Sequence, residues 1–183
     1  MKFSAQSVLL LLSLPILWSC SLLPNRPGPP AVHDFGPFSP ITTGYPWTQA
    51  EVIAPDWLQD SQIHYRLLYA RSTEVRSYSR DSWVAPPAVL LAQRFNGSQR
   101  SGNYRLHIEL QNFEQIFERP GHSRVVLTFR AAADPSDKRG PVTERDFHFA
   151  LPTPTADAPG ALQTFPRLIK LAENALREWV LTL

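Results

Sequence analysis

The chain has 183 residues, 43% of them apolar and 19% charged, with a formal net charge of +2, 18 prolines and one cysteine. That length suffices for one domain with a real core. The near-neutral, evenly mixed charge gives no support for a nucleic-acid partner, and a lone cysteine excludes both an intramolecular disulfide and a cysteine–histidine metal pattern.

The first element is Met1–Cys20. Lys2 precedes an apolar run, Val8–Leu17, and the small Ser19 stands just before Cys20. A charged start, a short apolar core and a small-residue cleavage site are the layout of a secretory signal peptide. The run is shorter than the roughly 20 apolar residues a membrane-spanning helix needs. Leu17-Trp18-Ser19-Cys20 resembles a bacterial lipobox, whose cysteine thiol receives diacylglycerol and becomes the mature N-terminus. Trp18 is bulkier than the usual residue there. The resemblance implies a lipoprotein signal peptide over 1–19 and lipidation at Cys20; the competing reading is a secreted chain with an incidental leader cysteine. Two or three acyl chains, at roughly 0.8 kcal/mol per buried CH₂, anchor a protein stably where one does not. Ser21 in place of an aspartate resembles an outer-membrane address, with the chain facing the periplasm. Beyond Ser19 the formal net charge is +1, since Lys2 is the leader's only charged side chain.

Residues 20–46 hold Pro24, Pro27, Pro29, Pro30, Pro37, Pro40 and Pro46, a density that no helix or central strand survives. The segment reads as a tether, reaching about 25–30 Å as a coil or roughly 80 Å in polyproline form. The alternative is a strap that lies along the domain and buries Phe35, Phe38 and Tyr45. The domain itself is expected over 47–183. Gln49–Ala54 reads as a short strand ended by Pro55, and Trp57, Leu58, Asp60 and Ser61 as a turn. In Gln62–Ala70, Ile63, Tyr65, Leu67 and Tyr69 alternate with His64 and Arg66, the period of a half-buried strand. Thr73–Tyr78 pairs with it as a hairpin.

Pro86–Phe95 reads as a helix with proline in its first turn, and Asn96–Asn103 as a polar loop. Tyr104, Leu106, Ile108 and Leu110 mark the strongest strand; Ser123–Ala133 and Thr143–Leu151 follow across short turns as an antiparallel meander. Leu162, Phe165, Ile169, Ala172, Leu176 and Val180 give the last segment one apolar helical stripe, with Lys170, Glu173, Asn174 and Arg177 on the polar side. Pro166 kinks that helix or opens its regular part with Thr164 as cap. The fold class expected is α+β: a mostly antiparallel sheet of about five to six strands with two helices packed on one face.

The chain carries no nucleophile elbow, phosphate loop or zinc-protease signature. His64, His107 and His148 share the sheet face opposite the apolar residues, where alignment on a metal competes with the commoner role of solvated histidines. Asp56 with Asp60, and Glu144 with Asp146, are carboxylate pairs of the kind that serves acid–base chemistry, against which stand the commoner roles of turn and strand-surface residues. No metal and no cofactor is expected.

Ala54-Pro55-Asp56-Trp57-Leu58 and Gln62-Ile63-His64-Tyr65-Arg66 resemble the opening of the ABC-type transport auxiliary lipoproteins, the PqiC-like group. Tyr78, Trp83, Pro87-Ala88-Val89-Leu90-Leu91, Phe113-Glu114-Gln115-Ile116-Phe117 and the strand 124–133 continue the pattern over roughly residues 48–182. The resemblance implies a non-enzymatic, outer-membrane lipoprotein that docks an MCE-domain protein of a lipid transport system, in some cases as a homo-oligomeric ring. It also implies a fold like the N-terminal domain of TolB. Tyr65, Tyr78, Trp83, Phe113 and Phe117 are candidate partner-binding aromatics, with core packing as the competing role. Arg100, Lys138 and Arg139, in the two polar loops, are candidate contacts with a partner or with anionic headgroups. An independent periplasmic lipid-binding carrier, with ligand between helices and sheet, is the alternative function, and an envelope hydrolase a third that no motif supports.

Overall fold

The structure, a computed structural model, describes residues 28–37, 44–97 and 100–183. The leader, Cys20 and Phe38 lie outside the described residues. In chain order the elements are β1 (Ala31–His33), β2 (Tyr45–Ile53), a 3₁₀ turn (Asp56–Leu58), β3 (Gln62–Leu67), β4 (Arg71–Trp83), α1 (Pro87–Phe95), β5 (Arg100–Arg119), β6 (His122–Pro135), β7 (Thr143–Pro152) and α2 (Ala158–Val180).

The seven strands form one sheet in the order β1-β4-β3-β5-β6-β7, with β2 also paired to β5. The meander β5–β6–β7 and the hairpin β3–β4 are antiparallel. The pairs β1–β4, β2–β5 and β3–β5 are parallel. The expectation of a mostly antiparallel, TolB-like sheet of five to six strands is thereby corrected: the sheet is mixed and has seven strands.

The reason lies in β5, which is 20 residues long. With β6 along one edge, β5 takes two strands on the other: β2 as far as Glu109, then β3 at Gln115–Phe117. β2 and β3 are thus one interrupted strand running down β5. Pro55 has no N–H to offer a ladder, and the 3₁₀ turn steps the chain past the register shift that β5 shows between Leu110 and Asn112. Parallel pairing needs a crossover, and β4 with α1 supplies the one between β3 and β5.

Alternation then sorts the faces. Leu106, Ile108, Leu110, Val125, Leu127, Phe129, Ala131 and Phe147 are buried on the face that the helices cover. The helices contribute Leu90, Leu91 and Phe95 from α1, and Phe165, Leu168, Ile169, Ala172 and Leu176 from α2. Aromatic rings fill the middle, with Phe113 and Phe165 at 4.5 Å and Trp83 and Phe165 at 5.4 Å between centroids. On the opposite face Arg66–Glu114, Arg130–Asp146 and His107–Glu51 form cross-strand pairs.

α2 starts at Ala158, not near Pro166. The Asp157 side chain accepts from the Gly160 N–H at 2.9 Å and caps the helix. Thr164 is not the cap: it is fully buried and its hydroxyl donates to the Gly160 carbonyl at 2.7 Å. The helix continues as one element through Pro166.

Residues 31–37 form a strap. β1 lies beside Asp81–Trp83, the Val84 N–H donates to the His33 carbonyl at 2.8 Å, and His33 Nε2 meets Asp81 Oδ1 at 2.9 Å. Phe35 then turns inward against Trp83 and Phe113, at 5.2 and 5.7 Å. Burying such a ring stabilises by about 1.5–3 kcal/mol, which holds the strap to the sheet.

Candidate functional site

The residues singled out from the sequence fall into three places. Trp83 and Phe113 are core, 3% and 1% exposed, and offer no surface to a partner. Tyr65, Tyr78 and Phe117 meet near the start of α2, on the helix-covered side of the sheet. Tyr65 and Tyr78 lie 4.8 Å apart and Tyr65 and Phe117 5.7 Å. Lys138 and Arg139 are exposed in the β6–β7 loop at the opposite end. Arg100 opens β5 beside Tyr45; its side chain lies outside the described residues. The Ser136 N–H donates to the Asn103 carbonyl at 2.7 Å, so the two polar loops adjoin.

The tyrosine cluster is the outer part of a polar chain. Tyr78 donates to Gln115 Oε1 at 2.6 Å; Gln115 Nε2 donates to Ser123 Oγ at 2.7 Å and to the Asp157 carbonyl at 3.2 Å. Ser123 and Thr153 share a hydroxyl bond of 2.6 Å. Gln115 is fully buried, and these bonds satisfy its amide. Burial, with the charges of Tyr65, Asp157 and Asp81 in support, raises the Tyr78 hydroxyl above the usual phenol range. A phenol that donates inward ties β4 to β5 and, through Gln115, to β6 and the N-terminus of α2.

Sequence reasoning missed the burial of Glu173, which with Glu114 is the most deeply buried charge among the described residues. Glu173, placed on the polar side of α2 by periodicity, is 1% exposed. It accepts from Arg94 Nε at 3.2 Å and Nη2 at 3.1 Å, and from the Tyr45 hydroxyl at 2.5 Å. Tyr45 is also within 3.2 Å of the Arg94 carbonyl. Burial first, then the bond to Glu173, raises the Tyr45 hydroxyl. This triad joins β2, α1 and α2. The available signal was a periodicity that places Glu173 beside Ala172 and Leu176, one step from the stripe.

The histidines have separate partners: His64 with Asp60 at 3.0 Å, His107 with Glu51 at 3.1 Å, and His148 with Thr128 at 2.8 Å. Among the described residues no group of three or more His, Cys, Asp or Glu could hold a metal ion. Asp56 accepts from Gln59 and Asp60 from the Gln62 N–H, both as turn residues. Asp146 is paired to Arg130. One groove of 390 Å³ runs along α2, with Phe35, Leu151, Pro166 and Leu171 in its lining and Arg167 and Lys170 beside them. Among the described residues no helix is long and apolar enough to cross a membrane.

No family model and no curated protein matches the chain. Solved structures do. Protein XCC0632 from Xanthomonas campestris, described by the family model DUF330, superposes with a TM-score of 0.64 at 19% identity, covering 84% of this chain and 93% of that one. The crystal structure of an uncharacterized protein superposes with a TM-score of 0.63 at 14% identity, covering 84% of this chain and 99% of that one. At these identities the likeness shows the fold alone.

Proposed function

We propose that this chain is an outer-membrane lipoprotein, anchored through Cys20 and facing the periplasm, that serves as the non-catalytic auxiliary component of an ABC/MCE-type transport system for lipids or other hydrophobic molecules. Its role is to dock the MCE assembly, with self-association into a ring as the associated form. The observation that carries this reading is where the family-like segments fall. Ala54–Leu58 supplies the 3₁₀ step between β2 and β3, Pro87–Leu91 opens α1, and Trp83 and Phe113 occupy the core. The resemblance therefore rests on residues that determine the fold, joined to a leader that ends in a lipobox-like cysteine.

The carrier alternative places ligand between helices and sheet. That space is occupied by Trp47, Phe113, Phe129, Phe165 and Leu168, each no more than 1% exposed. A ligand would have to displace side chains packed at crystal-like density, so docking is favoured over carriage. In vivo crosslinking of the tagged full-length chain tests the choice. Recovery of an MCE-domain protein supports docking; recovery of the chain alone with phospholipid overturns it for the carrier. A Cys20→Ala form should leave the outer-membrane fraction while keeping its fold, and its retention there would sink the anchor.

A further inference from the structure

The strap carries more information than its own packing. β3 and β5 run toward one end of the sheet and β4 runs away from it, so the β3–β4 turn at 68–70 and the β5–β6 turn at 120–121 lie at the same end. β1 is parallel to β4, with Ala31 beside Asp81. The N-terminal end of β1 therefore points toward that end too. From Asp81 back to Arg71, β4 covers ten residue steps, or about 33 Å. From Ala31 back to Cys20 the chain has eleven, at most ~40 Å fully extended. Contour length alone puts Cys20 within reach of the β3–β4 turn. The far end is another matter. The β3 pairing sets the level of Ala31 near Asn112 of β5, and β5 continues from there to Arg100 for about 40 Å, with the polar loops beyond it. To place that end at the membrane, the chain would have to reverse at Ala31 and be fully taut.

The near end has the chemistry of a membrane interface. Leu68 and Tyr69 are 39% and 48% exposed at the turn. Their backbone is fixed, since the Leu68 N–H donates to the Phe117 carbonyl at 2.9 Å and the Ala70 N–H to the Leu67 carbonyl at 3.1 Å. A rigid turn loses little entropy when it presents two apolar side chains, and a tyrosine ring suits the headgroup layer, where one edge is apolar and the other wet. Arg71, Arg76, Arg119 and Arg124 stand here against Glu74 and Glu118, while Asp157 is turned into the first turn of α2. Arg66 and Glu114 cancel as a pair. The surplus of arginine favours anionic headgroups.

We propose that the β3–β4 turn, with Leu68 and Tyr69 flanked by Arg71 and Arg119, rests in the headgroup layer of the membrane that holds the Cys20 lipid and fixes the domain with its polar-loop end directed away from that membrane. This rests on the anchored reading above. It adds a second, non-covalent contact and a defined orientation, which a lipid on a loose tether does not provide.

The test uses the full-length lipoprotein, purified from membranes and reconstituted into phosphatidylcholine vesicles with and without phosphatidylglycerol. Acylated Cys20 leaves no free thiol, so Tyr69→Cys is labelled alone with an environment-sensitive fluorophore. Lys138→Cys and Ile53→Cys serve as controls, the latter replacing a 54% exposed residue away from both ends. With brominated lipid, the label at position 69 should be quenched at least severalfold more than at 138 or 53, and more strongly with phosphatidylglycerol. Intact mass of the same samples reports acylation independently. Acylated protein whose label at 69 is no more quenched than at 138 overturns the membrane contact and leaves the anchor standing. Unacylated Cys20 overturns the anchor, and this inference with it.

Discussion

Glu173→Ala removes the centre of the buried triad and gives the sharpest test of the packing argument. The carboxylate is 1% exposed and accepts three hydrogen bonds, two from Arg94 and one from Tyr45. Removing one partner of a buried ion pair costs about 3–5 kcal/mol, chiefly because the other charge stays buried after losing its counter-ion. In a chain of this size each kcal/mol moves the midpoint by about 2–4 °C, so Tm should fall by about 6–20 °C. The double variant Arg94→Met/Glu173→Met removes both charges and keeps comparable volume. It should be within about 1.5 kcal/mol of the parent, since well-packed apolar side chains replace buried pairs at little cost. Urea unfolding followed by tryptophan fluorescence measures both, with Trp47 and Trp179 buried as native reporters. A single variant that loses less than about 1 kcal/mol, or a double variant as unstable as the single, refutes the assignment of Glu173 as a compensated buried charge.

Three further outcomes follow from other contacts. Gly160→Ala should destabilise, although alanine is the better helix former by about 1 kcal/mol, because its Cβ would run into the Thr155 carbonyl and hydroxyl; a gain in Tm would contradict that close approach. Asn96→Ala should cost about 1–3 kcal/mol, since the Asn96 amide pairs with both the N–H and the carbonyl of Ala50 at 2.9 and 2.7 Å and so completes the outer edge of β2. Tyr45, raised in the folded state, contributes stability that is fully present below the unfolded value of about 10 and is lost as pH rises beyond it. Tyr45→Phe should therefore flatten the alkaline limb of a stability–pH profile, and an unchanged limb would argue against a protonated, buried hydroxyl.

Much of the architecture was legible because alternation is a local property. The exposed and buried sets of 104–110, 123–133 and 143–151 can be read one residue at a time, and so can their antiparallel order, since short turns leave little choice. Three features were not local. Nothing in Gln49–Ala54 or Gln62–Leu67 says that both lie on the same edge of β5, because parallel pairing is settled by a crossover that forms later in the chain. Thr164 looked like a cap because Pro166 follows it, yet Asp157, with a free backbone N–H at Gly160 to receive, wins that role. Glu173 looked solvated because carboxylates usually are, and only the arrival of Arg94 from α1 makes its burial affordable. The aromatics singled out for binding divide by the same logic: hydrophobicity marks Trp83 and Phe113 for burial as readily as for a partner, and the fold decides.

Charge distribution narrows where a docking surface lies on the proposed reading. The open face of the sheet pairs its charges internally, through Arg66 with the buried Glu114 and through the exposed Arg130–Asp146, and an exposed pair such as the latter contributes little. The polar-loop end differs. Val142, Leu181 and Leu183 are 55%, 62% and 44% exposed, and Lys138 and Arg139 stand exposed on the adjoining turn, where Lys138 adopts φ 57°. Exposed apolar residues beside an exposed Lys–Arg pair fit a partner surface with a polar margin. Reversing both cations, Lys138→Glu with Arg139→Glu, should slow capture of an MCE-domain partner by about tenfold at low salt, with the deficit shrinking as salt rises, because marginal charges act mainly on encounter. The same double change at Arg130 and Arg145, on the β6–β7 strands, should leave capture unaltered. Equal losses from both pairs would mean that net charge, not this end of the molecule, governs the encounter.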